Sequence, residues 1–166
     1  MIFPTVSGSN LLRQKLTLPK DFKGRLSLVF VPFQQWQQDE VNSWIPLVQE
    51  LDQQVEGLCY YELPTIQSRD VLSRTFINAG MRAGLPNPKT RERTITLYVD
   101  KVPFRRALEM PDEEHIYVLV VDHQGQVLHT TRDPYRPEAG EELSRTIREL
   151  EIQFRTTGGS ASELVR

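Results

Sequence analysis

The stretch "FVPFQQWQQDEVNSW" carries a hydrophobic strand into a glutamine-rich turn and then into a helix. A strand-to-helix junction of this kind can hold a reactive thiolate, because the positive end of the helix dipole lowers a cysteine pKa. No cysteine stands there. Gln37, Asp39 and Glu40 stand there instead, and none of them can attack a peroxide or a disulfide. Cys59 is the only cysteine in the chain, so an internal disulfide, a CxxC pair and a cysteine-based zinc site are all excluded. It lies mid-strand between Leu58 and Tyr60, where a cysteine packs as a small inert hydrophobe.

Other chemistry is sparse. His115, His123 and His129 have no metal-ligand spacing, and His123 reads as a solvated turn residue. There is no glycine-rich phosphate loop and no Ser-His-Asp order, so neither cofactor nor metal is expected. Three features remain. Gln34, Gln35, Trp36, Gln37 and Gln38 form either a solvated turn with Trp36 folded onto the core, or a polar ledge around an aromatic anchor for a protein partner. Arg82, Arg91 and Arg93 form either a solvated basic patch or an anion site. Asp39 and Glu40, with the arginines, could line the polar cleft of an enzyme of unknown class.

Composition bounds the partners. A net charge of −2 gives no basic surface for nucleic acid. No apolar run approaches the roughly 18 residues that suggest a membrane span. "MIFPTVSGSNLL" lacks the charged start and apolar stretch of a secretory signal, which predicts a cytoplasmic location. The length suits one domain, expected over residues 1–154, with 155–166 as a flexible C-terminal tail.

The elements that must position these residues are legible as patterns. "KLTLP" alternates like an edge strand, and "RLSLVFVPF" is a continuous apolar run that needs cover on both faces. Val41, Trp44, Ile45, Val48 and Leu51 line one face of a helix from Asp39 to Gln54, with Pro46 expected to kink it. "GLCYYEL" then completes a βαβ unit with a parallel pair. A second helix is expected from Ser68, carrying Leu72, Phe76, Ala79 and Ala83 and ending near Gly84. After it come the strand "TITLYVD", a short helix opening at Pro103, and the strand "HIYVLVVD". A turn at Gly125 leads to the antiparallel return "QVLHTT", and a last helix runs from Pro137 to Phe154.

This order resembles the thioredoxin-like superfamily, and within it the peroxiredoxin-type (AhpC/TSA-like) branch. The likeness rests on "FPTVSGSNLLRQKLTLPKDFKGRLSLVFVPF" as the entry to the central strand, "TITLYVDKVPFRRALEM" as the extra strand and helix, and "VLVVDHQGQVL" as the closing hairpin. "FVPFQQWQQDEVNSW" and "YVLVVDHQGQV" are also similar to the mitochondrial ATP-synthase assembly-factor family with a thioredoxin-like fold. The resemblance implies an α/β fold with a mixed central sheet flanked by helices. It also marks departures. Against W-C-x-x-C, Trp36 takes the tryptophan place and Gln37 and Glu40 take both sulfur places. Against P-x-x-x-[TS]-x-x-C, Pro32 takes the proline place, Trp36 replaces the hydroxyl residue and Asp39 the nucleophile. Both families place a proline before the strand that faces the site, whereas "EEHIYVLVV" has none. The leading expectation is a noncatalytic protein that binds a protein partner as an assembly or chaperone-like factor. The alternatives are the enzyme with a cleft at Asp39 and Glu40, and a divergent thiol peroxidase or oxidoreductase using Cys59.

Overall fold

The computed structural model describes residues 1–68 and 88–165. The second helix expected after Ser68 lies outside them, and so does Arg82.

Strand β3 (Leu26–Val31) is buried at every residue, as its unbroken β-branched and aromatic run requires. β7 (Tyr117–Asp122) is buried throughout in the same way. The two pair antiparallel, from Leu26 opposite Asp122 to Val31 opposite Tyr117. β4 (Leu58–Glu62) lies parallel on the other edge of β3, so helix α1 (Gln38–Gln54) is the crossover. β8 (Val127–Arg132) returns antiparallel along β7. Gly125 closes that turn at φ 85°, and a Cβ there would meet Pro19 at 2.8 Å, so both backbone and space demand glycine.

The remaining strands form a second ladder. β1 (Val6–Asn10) pairs antiparallel with β2 (Lys15–Leu18) and with β6 (Ile95–Val99), and β5 (Thr65–Gln67) runs parallel to β6. The orders are β2-β1-β6-β5 and β4-β3-β7-β8. Only Leu63 and Pro64 separate β4 from β5. Leu63 donates its N–H to Phe30, Leu97 donates to the Pro64 carbonyl, and Glu62 bridges to Thr94. Residues 58–67 are therefore one bent strand that hands the sheet from the first ladder to the second. Pro64 sits at the bend, where it has no N–H to give to a ladder. The expected mixed sheet is present, but as two ladders joined at this bend.

Helices cover both faces. α1 lays Val41, Trp44, Val48 and Leu51 on Leu28, Phe30 and Val118, and α4 (Pro137–Val165) adds Leu143 and Ile147 to the same cluster. α1 stays helical through Pro46. On the opposite face, Phe3, Phe22, Tyr61 and Phe104 pack with Val29, Val31 and Leu119, Phe104 being supplied by α3 (Lys101–Ala107). "PKTRER", to which the sequence assigned no element, folds as the short helix α2 (Pro88–Arg93), and α3 opens at Lys101, ahead of the expected Pro103. α4 continues to Val165, past the expected end at Phe154, since each glycine in its path weakens a helix by only about 1 kcal/mol.

Candidate functional site

A 3₁₀ turn, Gln35–Gln37, leads from β3 into α1. Gln37 is fully buried. Its Oε1 accepts the Phe33 N–H at 2.8 Å and the Gln34 N–H at 3.2 Å, while its Nε2 donates to the Glu113 carbonyl at 2.6 Å. One turn later Glu40 is buried as well. Its Oε1 accepts the Ile116 N–H at 3.1 Å, and its Oε2 lies 2.7 Å from His115 Nδ1. Gln37 and Glu40, the two sulfur places of the W-C-x-x-C comparison, thus each tie the start of α1 to residues 113–116. A proline at 116 would have no N–H for Glu40 to accept. The departures noted in the two segments are parts of one contact.

His115 also approaches Asp133, with Nε2 4.0 Å from Oδ1. The hydrogen bond to Glu40, supported by the charges of Glu40 and Asp133, holds its pKa above the usual histidine value of 6.5 against partial desolvation. The Glu113 carboxylate gathers Lys101 Nζ at 3.0 Å, Arg105 Nε at 3.5 Å and Gln34 Nε2 at 3.3 Å. Asp112 accepts Arg132 Nη2 at 2.8 Å and the Glu114 N–H at 3.1 Å. The segment before β7 is therefore pinned from several sides.

Trp36 is 58% exposed, which corrects the reading that folds it onto the core. Gln34 and Gln35 are exposed beside it and Gln38 is half-buried. Gln37 is removed from the ledge, because its amide is enclosed, with Oε1 accepting two backbone N–H groups and Nε2 donating to a backbone carbonyl. Asp39 is exposed while Glu40 turns inward, so the two carboxylates do not share a cleft. Arg93 is engaged by Asp52 at 3.6 Å and stacks on Tyr60 at 4.3 Å, which uses the cation that an anion site would need. Arg91 lies on α2, and its carbonyl accepts the Leu11 N–H at 3.0 Å. Cys59 is half-buried on β4, and burial pushes its thiol pKa up, away from a reactive thiolate.

Glu62 was not singled out by the sequence. It is buried at the end of β4, where burial pushes its carboxyl pKa up. Among the described residues its side chain meets two long contacts, from Gln38 Nε2 at 3.5 Å and Thr94 Oγ1 at 3.4 Å. His115 and Glu113 were missed too. The one available signal for them was the missing proline before β7.

A parallel β3–α1–β4 unit, an antiparallel β7–β8 hairpin and a covering C-terminal helix define a thioredoxin-like protein, with the Trp36 corner at the head of α1. BsSco, a member of the Sco family of cytochrome c oxidase assembly proteins, superimposes with a TM-score of 0.62 at 10% identity, over 91% of this chain and 94% of its own. Copper-bound ScoI from Arabidopsis thaliana gives 0.58 at 10% identity over 90% and 99%. The exposed lipoprotein thioredoxin Etrx1 of Streptococcus pneumoniae strain TIGR4 gives 0.56 at 14% identity over 88% and 99%. Such identities speak for the fold alone. The family model of the ATP10 protein matches residues 1–150, and the chain belongs to that family. No curated protein matches it significantly.

Two outcomes follow from the corner. Gln37→Ala leaves the Phe33 N–H and the Glu113 carbonyl without their buried partner, and should cost about 1–3 kcal/mol in urea unfolding. Gln35→Ala, at an exposed position, should change stability by no more than about 0.5 kcal/mol. Equal effects would mean that Gln37 holds nothing together. For His115, the folded pKa is raised above 6.5. Its pairing therefore stabilises fully below the unfolded value and fades as pH rises through the folded one. The stability gap between wild type and His115→Ala should shrink from pH 6 to pH 9, and the NMR titration midpoint of His115 should fall in Glu40→Gln.

Proposed function

We propose that this chain is a noncatalytic thioredoxin-like factor in ATP synthase assembly, holding a protein partner at the Trp36 corner. Membership of the ATP10 protein family supports the assembly role. The observation that carries the noncatalytic reading is the filling of both sulfur positions by Gln37 and Glu40, each committed to the backbone ahead of β7. A thiol mechanism has no nucleophile at the corner, and Cys59 sits on another strand with its pKa raised. β6 and α3, folded from the extra strand and helix of the sequence, support placing the chain on the peroxiredoxin-type side of the superfamily.

Trp36 supplies a large rigid contact, and Gln34, Gln35 and Gln38 around it supply donors and acceptors for a partner's backbone. Trp36→Ala should reduce capture of ATP synthase subunits in a pull-down at least about tenfold, as expected for a hot-spot residue. Its melting temperature should stay within a degree or two of wild type, because the ring is mostly solvated. Undiminished capture by the variant would remove the corner from the interface.

A second reading rests on Glu62. A buried carboxyl with a raised pKa beside Gln38 is a possible acid or base at the same end of the sheet. Because its folded pKa is raised, ionisation opposes folding as pH rises through that value, so Glu62→Gln should gain stability relative to wild type from pH 5 to pH 9. If that variant is more stable at high pH yet fails to support ATP synthase assembly in cells while still capturing the partner, the carboxyl has a chemical role. Full support of assembly by the variant assigns Glu62 to structure.

A further inference from the structure

The face of the sheet away from α1 carries a cleft of about 640 Å³ between the β1–β2 hairpin, the 19–24 loop, β4 and α2. Its size falls in the range of small-molecule sites, about 300–1,000 Å³. Leu16, Phe22, Cys59 and Tyr61 give it an apolar floor, with the Phe22 and Tyr61 rings 4.9 Å apart. The Tyr61 hydroxyl accepts the Lys23 N–H at 2.9 Å and keeps its own hydrogen to donate.

The rim is cationic. Lys15, Lys20, Lys23, Lys89 and Arg93 all border the opening. The lining holds two carboxylates, and both are occupied: Glu92 by Lys23 at 2.7 Å, Asp21 by the Thr17 N–H at 2.7 Å. Arg93 is matched by Asp52, at 3.6 Å. Lys15 and Lys20 are exposed, and among the described residues neither has an anionic partner. An amphipathic pocket with excess positive charge at its mouth and aromatic carbon at its base selects a ligand of the inverse pattern. We propose that this cleft binds a small organic anion, a carboxylate, sulfonate or phosphate group carried on a planar apolar body. The site is independent of the Trp36 corner, because it is built on the opposite face of β4.

The probe is 1-anilinonaphthalene-8-sulfonate, titrated by fluorescence into the full chain. Saturable binding is expected at one site, weakened about tenfold or more in Lys15→Glu/Lys20→Glu and weakened again at 0.5 M salt, where screening is strong. Cys59, as the lone thiol on the floor, provides a second readout. Its thiolate attacks the disulfide of neutral 4,4′-dithiodipyridine, forming a mixed disulfide and releasing one thiopyridone. Bound probe should slow that reaction at least about fivefold in wild type and not in the double variant, as mass action at a shared site requires. The proposal is overturned if the probe does not bind, if the lysine changes leave binding intact, or if bound probe leaves Cys59 labelling as fast as before. It is equally overturned if binding is instead lost in Ile152→Ser, which would place the probe in the groove between α1 and α4. Should Cys59 prove inert to the reagent, the fluorescence titrations decide alone.

Discussion

A carboxylate buried beside a helix N-terminus must be satisfied, and the way Glu40 is satisfied organises the corner of this molecule. Leaving a buried charge without partners is costly, so both of its oxygens are held, one by the Ile116 N–H and the other by His115. The contact joins the first turn of α1 to the entrance of β7, two elements far apart in sequence. It extends further through Ser43, whose hydroxyl donates to the Glu40 carbonyl at 2.5 Å and accepts the Tyr135 N–H at 2.9 Å, just ahead of α4. Trp44 adds a bond from its indole N–H to the Asp133 carbonyl at 3.1 Å. The head of α1 is thereby fixed to two later parts of the chain before any side chain of the ledge is considered.

The exposure of Trp36 follows from this anchoring. In a 3₁₀ turn, residues three apart lie on the same side. Once Gln37 is drawn inward by Phe33 and Glu113, Gln34 stays near that side, where its amide meets the Glu113 carboxylate, and Trp36 is left facing water. An indole that could have been buried is held outside by a neighbour's hydrogen bonds. That arrangement loses hydrophobic stabilisation for the lone chain, roughly 25 cal/mol for each Å² of apolar surface left wet.

The sequence made much of the fold legible, for a local reason. β3 and β7 are covered on both faces and read as unbroken apolar runs. α1 is covered on one face and reads as a 3.6-residue period, and Gly125 reads as a turn because only glycine accepts its φ at little cost. What was hidden depends on distant pairing. The bend at Pro64 that splits the sheet into two ladders is visible only when β5 finds β6. The inward turn of Gln37 depends on a carbonyl 76 residues away, and Glu40 on an amide equally remote, so a glutamine-rich run looked uniformly solvated. Arg93 looked like a free cation because its partners, Asp52 and Tyr60, come from α1 and β4.

A redox corner has to keep its nucleophile approachable and its thiol pKa low, which demands exposure and limits the hydrogen bonds the backbone there can make with side chains. Removing the sulfurs lifts that restriction. Gln37 and Glu40 pair with the Phe33 N–H, the Glu113 carbonyl and the Ile116 N–H. The result is a corner whose backbone is set by the chain's own side chains. Rigid presentation reduces the ordering cost of association, on the order of 0.5–1.5 kcal/mol for each side chain already fixed. On the proposed reading, the residues that stand in the sulfur places also lower the cost of holding a partner.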